Sequence, residues 1–117
     1  MAPPATGSAL TDAQIAAELK TLPGWRHENG ALRRTYKTDG WPTTLMLVNA
    51  VGFVCEAADH HPDLAVSWGK VEVSFWTHSA GGITAKDVAM ARSVEQAALW
   101  RPEGWKGTAK GWVSPEG

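Results

Sequence analysis

The chain has one cysteine, Cys55, in 117 residues, so no intramolecular disulfide and no cysteine-built zinc site can form. That thiol lies in an apolar run with no basic neighbour to favour a thiolate, and it reads as a buried structural residue. Long hydrophobic runs are missing too: nowhere do about 18 apolar residues follow one another, which removes a membrane-spanning helix. Neither sign of charge dominates. Eleven Lys and Arg are scattered among twelve Asp and Glu, with no basic run longer than Arg33-Arg34, so the clustered basic surface of a nucleic-acid binder is absent. The first nine residues have neither a basic start nor an apolar core, so they do not make a signal peptide. A disordered segment 1–9 and a reducing cytoplasm are the expectations. No internal repeat is long enough to imply a solenoid.

What is present is the composition of a globular domain. With 44% hydrophobic and 20% charged residues, the chain can bury one core but not two. Residues 10 to 22 predict a helix: Thr11 and Gln14 have capping-box spacing, Ile15, Leu19 and Leu22 share a face, and Pro23-Gly24 ends it. Trp25 to Glu28 and Ala31 to Lys37 flank Asn29-Gly30, the strongest two-residue signal for a type I′ hairpin. Asp39-Gly40-Trp41-Pro42 breaks the strand. From Thr43 to Ala58 the run is apolar before Glu56, which predicts a helix buried on much of its circumference, with a stop near Pro62. A second hairpin is expected from Leu64–Trp68 and Val71–His78, with Glu72, Ser74, Trp76 and His78 on the polar face. Thr84 to Asp87 opens a last helix that ends near Arg101-Pro102. The fold class is therefore α+β: a four-stranded antiparallel sheet with three helices packed on one face, in the order α-β-β-α-β-β-α. Residues 10–100 form this domain, and 101–117 form a Trp- and Gly-rich tail, loose or docked through Trp105 and Trp112.

Two of the four histidines stand together, His60 and His61, after Glu56 and Asp59 and before Pro62. If the helix persists, Glu56 and His60 share a face four residues apart and form a carboxylate–imidazole pair. Imidazole titrates nearer neutral pH than any other side chain, so a held imidazole suits general acid/base work. His78 is the third candidate and Asp87 an additional one, although Asp87 is equally explained as the N3 acid of a capping box with Thr84. A metal site from His60 or His61 with His78 and Asp63 stays open, but adjacent extended histidines point apart and no His-Glu-x-x-His spacing occurs. A catalytic serine elbow and a phosphate-binding glycine loop are not present. His27, in the first hairpin, has no assigned role.

The run Glu56-x-x-Asp59-His60-His61-Pro62, with Trp68, Lys70-Val71, Thr77-His78 and Asp87 at fixed spacing, closely resembles the pterin-4a-carbinolamine dehydratase family. The likeness covers residues 10 to 100 and includes Gly24-Trp25. It implies that the chain dehydrates 4a-hydroxytetrahydropterin to quinonoid dihydropterin, recycling the pterin of an aromatic amino acid hydroxylase, with no metal or organic cofactor. It also implies that His60 and His78 handle protons at the departing hydroxyl, that His61 holds the pterin, that Glu56 positions His60, and that Asp87 supports the site electrostatically. Asp59, Trp76, Thr77 and Ser79 would meet the pterin edge, largely through main chain. Family members are homodimers or homotetramers and can bind the hydroxylase they serve. Some act instead as non-catalytic dimerisation cofactors on the same fold, and the retained histidines favour the enzyme.

Overall fold

The computed structural model of the protein describes residues 7–105 and 113–114. Its elements are α1 (Asp12–Leu19), β1 (Trp25–Glu28), β2 (Ala31–Lys37), α2 (Trp41–Ala58), β3 (Asp63–Ser67), β4 (Lys70–Phe75), a 3-10 turn (His78–Ala80) and α3 (Ala85–Ala98). The strands form one antiparallel sheet in the order β1-β2-β4-β3. This is the predicted α+β architecture.

Local chemistry explains most boundaries. Thr11 and Gln14 make the expected capping box on α1. At the first hairpin Asn29 and Gly30 both take positive φ, 50° and 76°, as a type I′ turn demands. Gly24 is required for a different reason: its φ is +88°, and a Cβ there would stand 2.6 Å from the Arg34 guanidinium carbon. Pro42 lies in the first turn of α2, where its missing N–H costs nothing, so that helix begins two residues before the expected Thr43.

Alternation on the central strands places Leu32, Arg34 and Tyr36 of β2 and Val71, Val73 and Phe75 of β4 in the buried layer. The helices cover this face. On the opposite face Arg26 and Arg33 pair with Glu72 at 2.8 and 3.5 Å. Against the sheet, α2 buries Thr43, Thr44, Leu47, Val51 and Cys55, and α3 buries Val88, Ala91, Val94 and Ala98. The expectation that α2 is buried around much of its circumference is corrected. Its buried residues form one stripe, while Trp41, Leu45, Met46 and Phe53 are exposed, Phe53 to 75%.

Arg34 is the unexpected member of the core. It is 3% exposed and faces Glu95 of α3, which also accepts from Tyr36 Oη at 2.6 Å and from Trp25 Nε1 at 3.0 Å. Three donors satisfy one carboxylate, so the buried charge of Arg34 is paired rather than stranded. Burial, and next the Glu95 carboxylate, push the Tyr36 hydroxyl well above the ordinary phenol range.

Described residues outside the main elements also pack on the domain. Leu10 N–H donates to the Ile83 carbonyl at 2.8 Å. Val113 is 5% exposed and belongs to the core, and Ser114 N–H donates to the Lys37 carbonyl at 2.8 Å. Trp112 lies outside the described residues.

Burial pushes the Cys55 thiol up from 9.0 to about 11. The folded state thus holds this proton more tightly than the unfolded chain does. Stability from that source is intact below pH 9.0 and is lost as pH rises towards about 11. Native protein should resist iodoacetamide at pH 8 and label fully in denaturant, as read by mass spectrometry. Ready labelling of the native state would contradict the buried placement.

Candidate active site

Asp59 decides the geometry. It caps α2 in the left-handed region, φ 53° and ψ 44°, and its N–H still bonds the Cys55 and Glu56 carbonyls. Aspartate tolerates this conformation better than most residues, so the helix ends at Ala58 without a glycine. His60 N–H donates to the Cys55 carbonyl at 3.1 Å, and the chain turns away from the helical path.

One expectation therefore fails. Glu56 does not position His60, because the left-handed turn removes the i, i+4 relation between them. Glu56 Oε1 lies instead 2.8 Å from His61 Nε2, on the surface, with side chains 81% and 57% exposed. Such an exposed pair is screened and contributes little to stability. His60 turns inward, where its side chain is 14% exposed and its Nε2 is 2.6 Å from Asp87 Oδ1.

Asp87 is fully buried. Its Oδ2 accepts from Thr77 Oγ1 at 2.7 Å, from Thr84 N–H at 2.8 Å and from Thr84 Oγ1 at 3.3 Å. The capping-box reading of Asp87 is met, and the same carboxylate also reaches His60. It closes the capping box of α3 with one oxygen and holds His60 with the other. Through Thr77 it also fixes the segment that carries His78.

His78 lies elsewhere than predicted along the chain. Strand β4 ends at Phe75, and His78 opens the 3-10 turn instead of continuing the polar face. The bend is set by Thr77, whose N–H and carbonyl pair with Gly82 at 2.9 and 3.3 Å, and by Gly81 in the left-handed region. His78 and Ser79 are exposed, and the His78 imidazole packs on the half-buried Trp76 indole with ring centroids 3.7 Å apart. The His60 ring in turn stacks on Phe75, centroids 6.0 Å apart at 13°. Asp63 sits in edge strand β3 and His27 in β1, and both are exposed. Among the described residues no three His, Cys, Asp or Glu side chains gather as metal ligands would.

The fold joins the end of α2, the β4–α3 connection and the start of α3 around one buried carboxylate. A family model for pterin 4 alpha carbinolamine dehydratase matches residues 8–97. The chain belongs to this family. A relative from Aquifex aeolicus, provisionally named a pterin-4-alpha-carbinolamine dehydratase, is 40% identical over 87 residues, covering 74% of this chain and 88% of its own. A relative from Mycolicibacterium vanbaalenii with the same provisional name is 44% identical over 88 residues, covering 75% and 95%. A crystal structure of a transcriptional coactivator/pterin dehydratase from Brucella melitensis superposes with a TM-score of 0.73 at 29% identity, over 78% of this chain and 99% of that one.

Replacing Asp87 removes a cap and leaves the Thr84 N–H and the Thr77 hydroxyl without their acceptor. Asp87→Ala is expected to lower unfolding free energy by about 3 kcal/mol, seen as an earlier urea midpoint at unchanged slope. An unchanged midpoint would show that the carboxylate does not hold this junction.

Proposed function

We propose that the protein dehydrates 4a-hydroxytetrahydropterin to quinonoid dihydropterin and water by general acid/base catalysis, in the recycling of a hydroxylase's pterin cofactor. The observation that carries this reading is the buried Asp87 carboxylate bonded to His60 Nε2 on one side and to the His78 segment, through Thr77, on the other.

The chemistry asks for little more. The C4a–O bond breaks as the N5 lone pair forms the C4a=N5 bond, the hydroxide takes a proton and leaves as water, and N5 loses its proton to a base. The pterin supplies the electron push itself, so the protein needs to hold the ring and handle two protons. His60, oriented by Asp87, and His78, presented on the 3-10 turn, are the proton-handling groups in this reading. His61 holds the pterin, with Glu56 positioning His61 in place of the role expected beside His60. The main chain of Ser79 and the Asp59 carbonyl meet the polar edge in this reading, Thr77 keeps its N–H and carbonyl on Gly82 and holds the segment in place, and Trp76 offers an aromatic wall beside His78.

A second reading, a dimerisation cofactor without catalysis, is supported by one observation. The outer face of α2 carries exposed Trp41, Leu45, Met46 and Phe53, with no charge between Trp41 and Cys55. A second copy of the chain is the occupant that would cover it in a homodimer or homotetramer. Self-association and catalysis are compatible.

With enzymatically generated 4a-hydroxytetrahydropterin, purified protein should accelerate formation of quinonoid dihydropterin, followed by absorbance. His60→Ala and His78→Ala should each lower turnover by roughly 10² or more, whereas Glu56→Gln, at an exposed pair, should cost less than about tenfold. No acceleration over buffer would sink the enzymatic reading. Light scattering is expected to show at least a dimer, and Phe53→Glu should shift it towards monomer.

A further inference from the structure

A hydrogen bond to Asp87 fixes where one nitrogen of His60 lies, but it leaves the ring free to rotate about the Nε2···Oδ1 line. A second constraint sets the plane. The His60 imidazole lies nearly parallel to Phe75, at 13°, and Phe75 stacks in turn on Trp25 with centroids 6.2 Å apart at 26°. Trp25 cannot tilt freely, because its Nε1–H donates to Glu95 Oε1 at 3.0 Å. Nor can Glu95 follow it, since the same oxygen accepts from Tyr36 Oη at 2.6 Å and from Arg34 Nε at 3.2 Å. Glu95 and Asp87 both belong to α3. The contacts Glu95, Trp25, Phe75, His60 and Asp87 therefore start and finish on one helix and form a closed ring.

We infer that Phe75, Trp25 and Glu95 are positioning residues for His60, holding the plane of its imidazole while Asp87 holds its nitrogen. The inference rests on the proposed dehydratase reading only for its consequence in turnover. Its structural part is independent of the substrate. Trp25 and Phe75 need not touch the pterin, since they are 6% and 0% exposed, and Glu95 reaches His60 only through them. Proton transfer depends steeply on orientation, so a ring of correct composition but loose plane should bind substrate normally and turn it over slowly.

The test compares Phe75→Leu and Trp25→Phe with Val94→Ala, a core truncation outside the ring of contacts. Phe75→Leu removes the aromatic face. Trp25→Phe keeps a ring on Phe75 but removes the donor to Glu95. Carbon-edited spectra, assigned against His60→Ala, report the His60 ring protons, which lose the shielding of Phe75 when the stack is broken. The expected result is that both variants move these resonances, Phe75→Leu more, and lower kcat by roughly five-fold with KM within about two-fold. Val94→Ala should lower the melting temperature yet leave resonances and kcat near wild type. Unmoved His60 resonances in Phe75→Leu, or a loss of kcat no larger than that of Val94→Ala, would overturn the inference. If the wild-type protein shows no dehydratase activity but the resonances still move, the functional reading falls and the positioning role stands.

Discussion

A carboxylate with no solvent access must find its donors within the protein, and the placement of Asp87 follows from that constraint. Leaving such a group unpaired would cost several kcal/mol, more than any single contact around it returns. Its partners come from three places: the end of α2, the strand-to-helix connection, and the first turn of α3. Satisfying Asp87 therefore brings together segments that the sheet alone would leave adjacent but unregistered. The junction between α2 and α3 and the candidate active site are one structure.

The second buried charge cluster obeys the same rule at the other end of α3. Arg34 and Glu95 neutralise each other, while Tyr36 and Trp25 use the remaining acceptor capacity. Two carboxylates eight positions apart, Asp87 fully buried and Glu95 partly so, thus hold one helix in place, one through polar donors at its cap and one through strand side chains. Apolar contact between Val88, Ala91, Val94 and the sheet supplies most of the favourable free energy, at roughly 2 kcal/mol for each large side chain removed from water. It does not by itself fix the helix against sliding or rotation. The polar ties do, because hydrogen bonds are directional and unmade ones are costly.

Much of the fold was legible in the sequence because its signals are local. Asn29-Gly30 specified the hairpin, Thr11 with Gln14 and Thr84 with Asp87 specified helix starts, and alternation on Val71, Val73 and Phe75 specified the buried face. What was missed depended on long-range or backbone effects. Nothing in composition announces that Asp59 adopts a left-handed cap, and that single pair of dihedrals moves Glu56 from His60 to His61 and leaves His60 to Asp87. Likewise, alternation carried through Trp76 and His78 ignores the Thr77–Gly82 bridge that ends the strand. Arg34 drew no expectation of burial from its charge; its position between Leu32 and Tyr36 on the inward phase of β2 was the available clue.

The two neighbouring histidines end in physically different environments, and this bears on how they could share a reaction. His60 is largely enclosed and constrained through Asp87 and Phe75, whereas His61 and its partner Glu56 face water. A group that must exchange a proton at a set atom gains from fixed orientation, since reorganisation during the step raises the barrier. A group that must admit and release a substrate gains from mobility and from a screened, weak tie to its neighbour. Adjacent residues of one type can thus be assigned different tasks by a single turn of backbone. In the proposed dehydration, rigidity at His60 and freedom at His61 follow from the same left-handed residue between them and the helix.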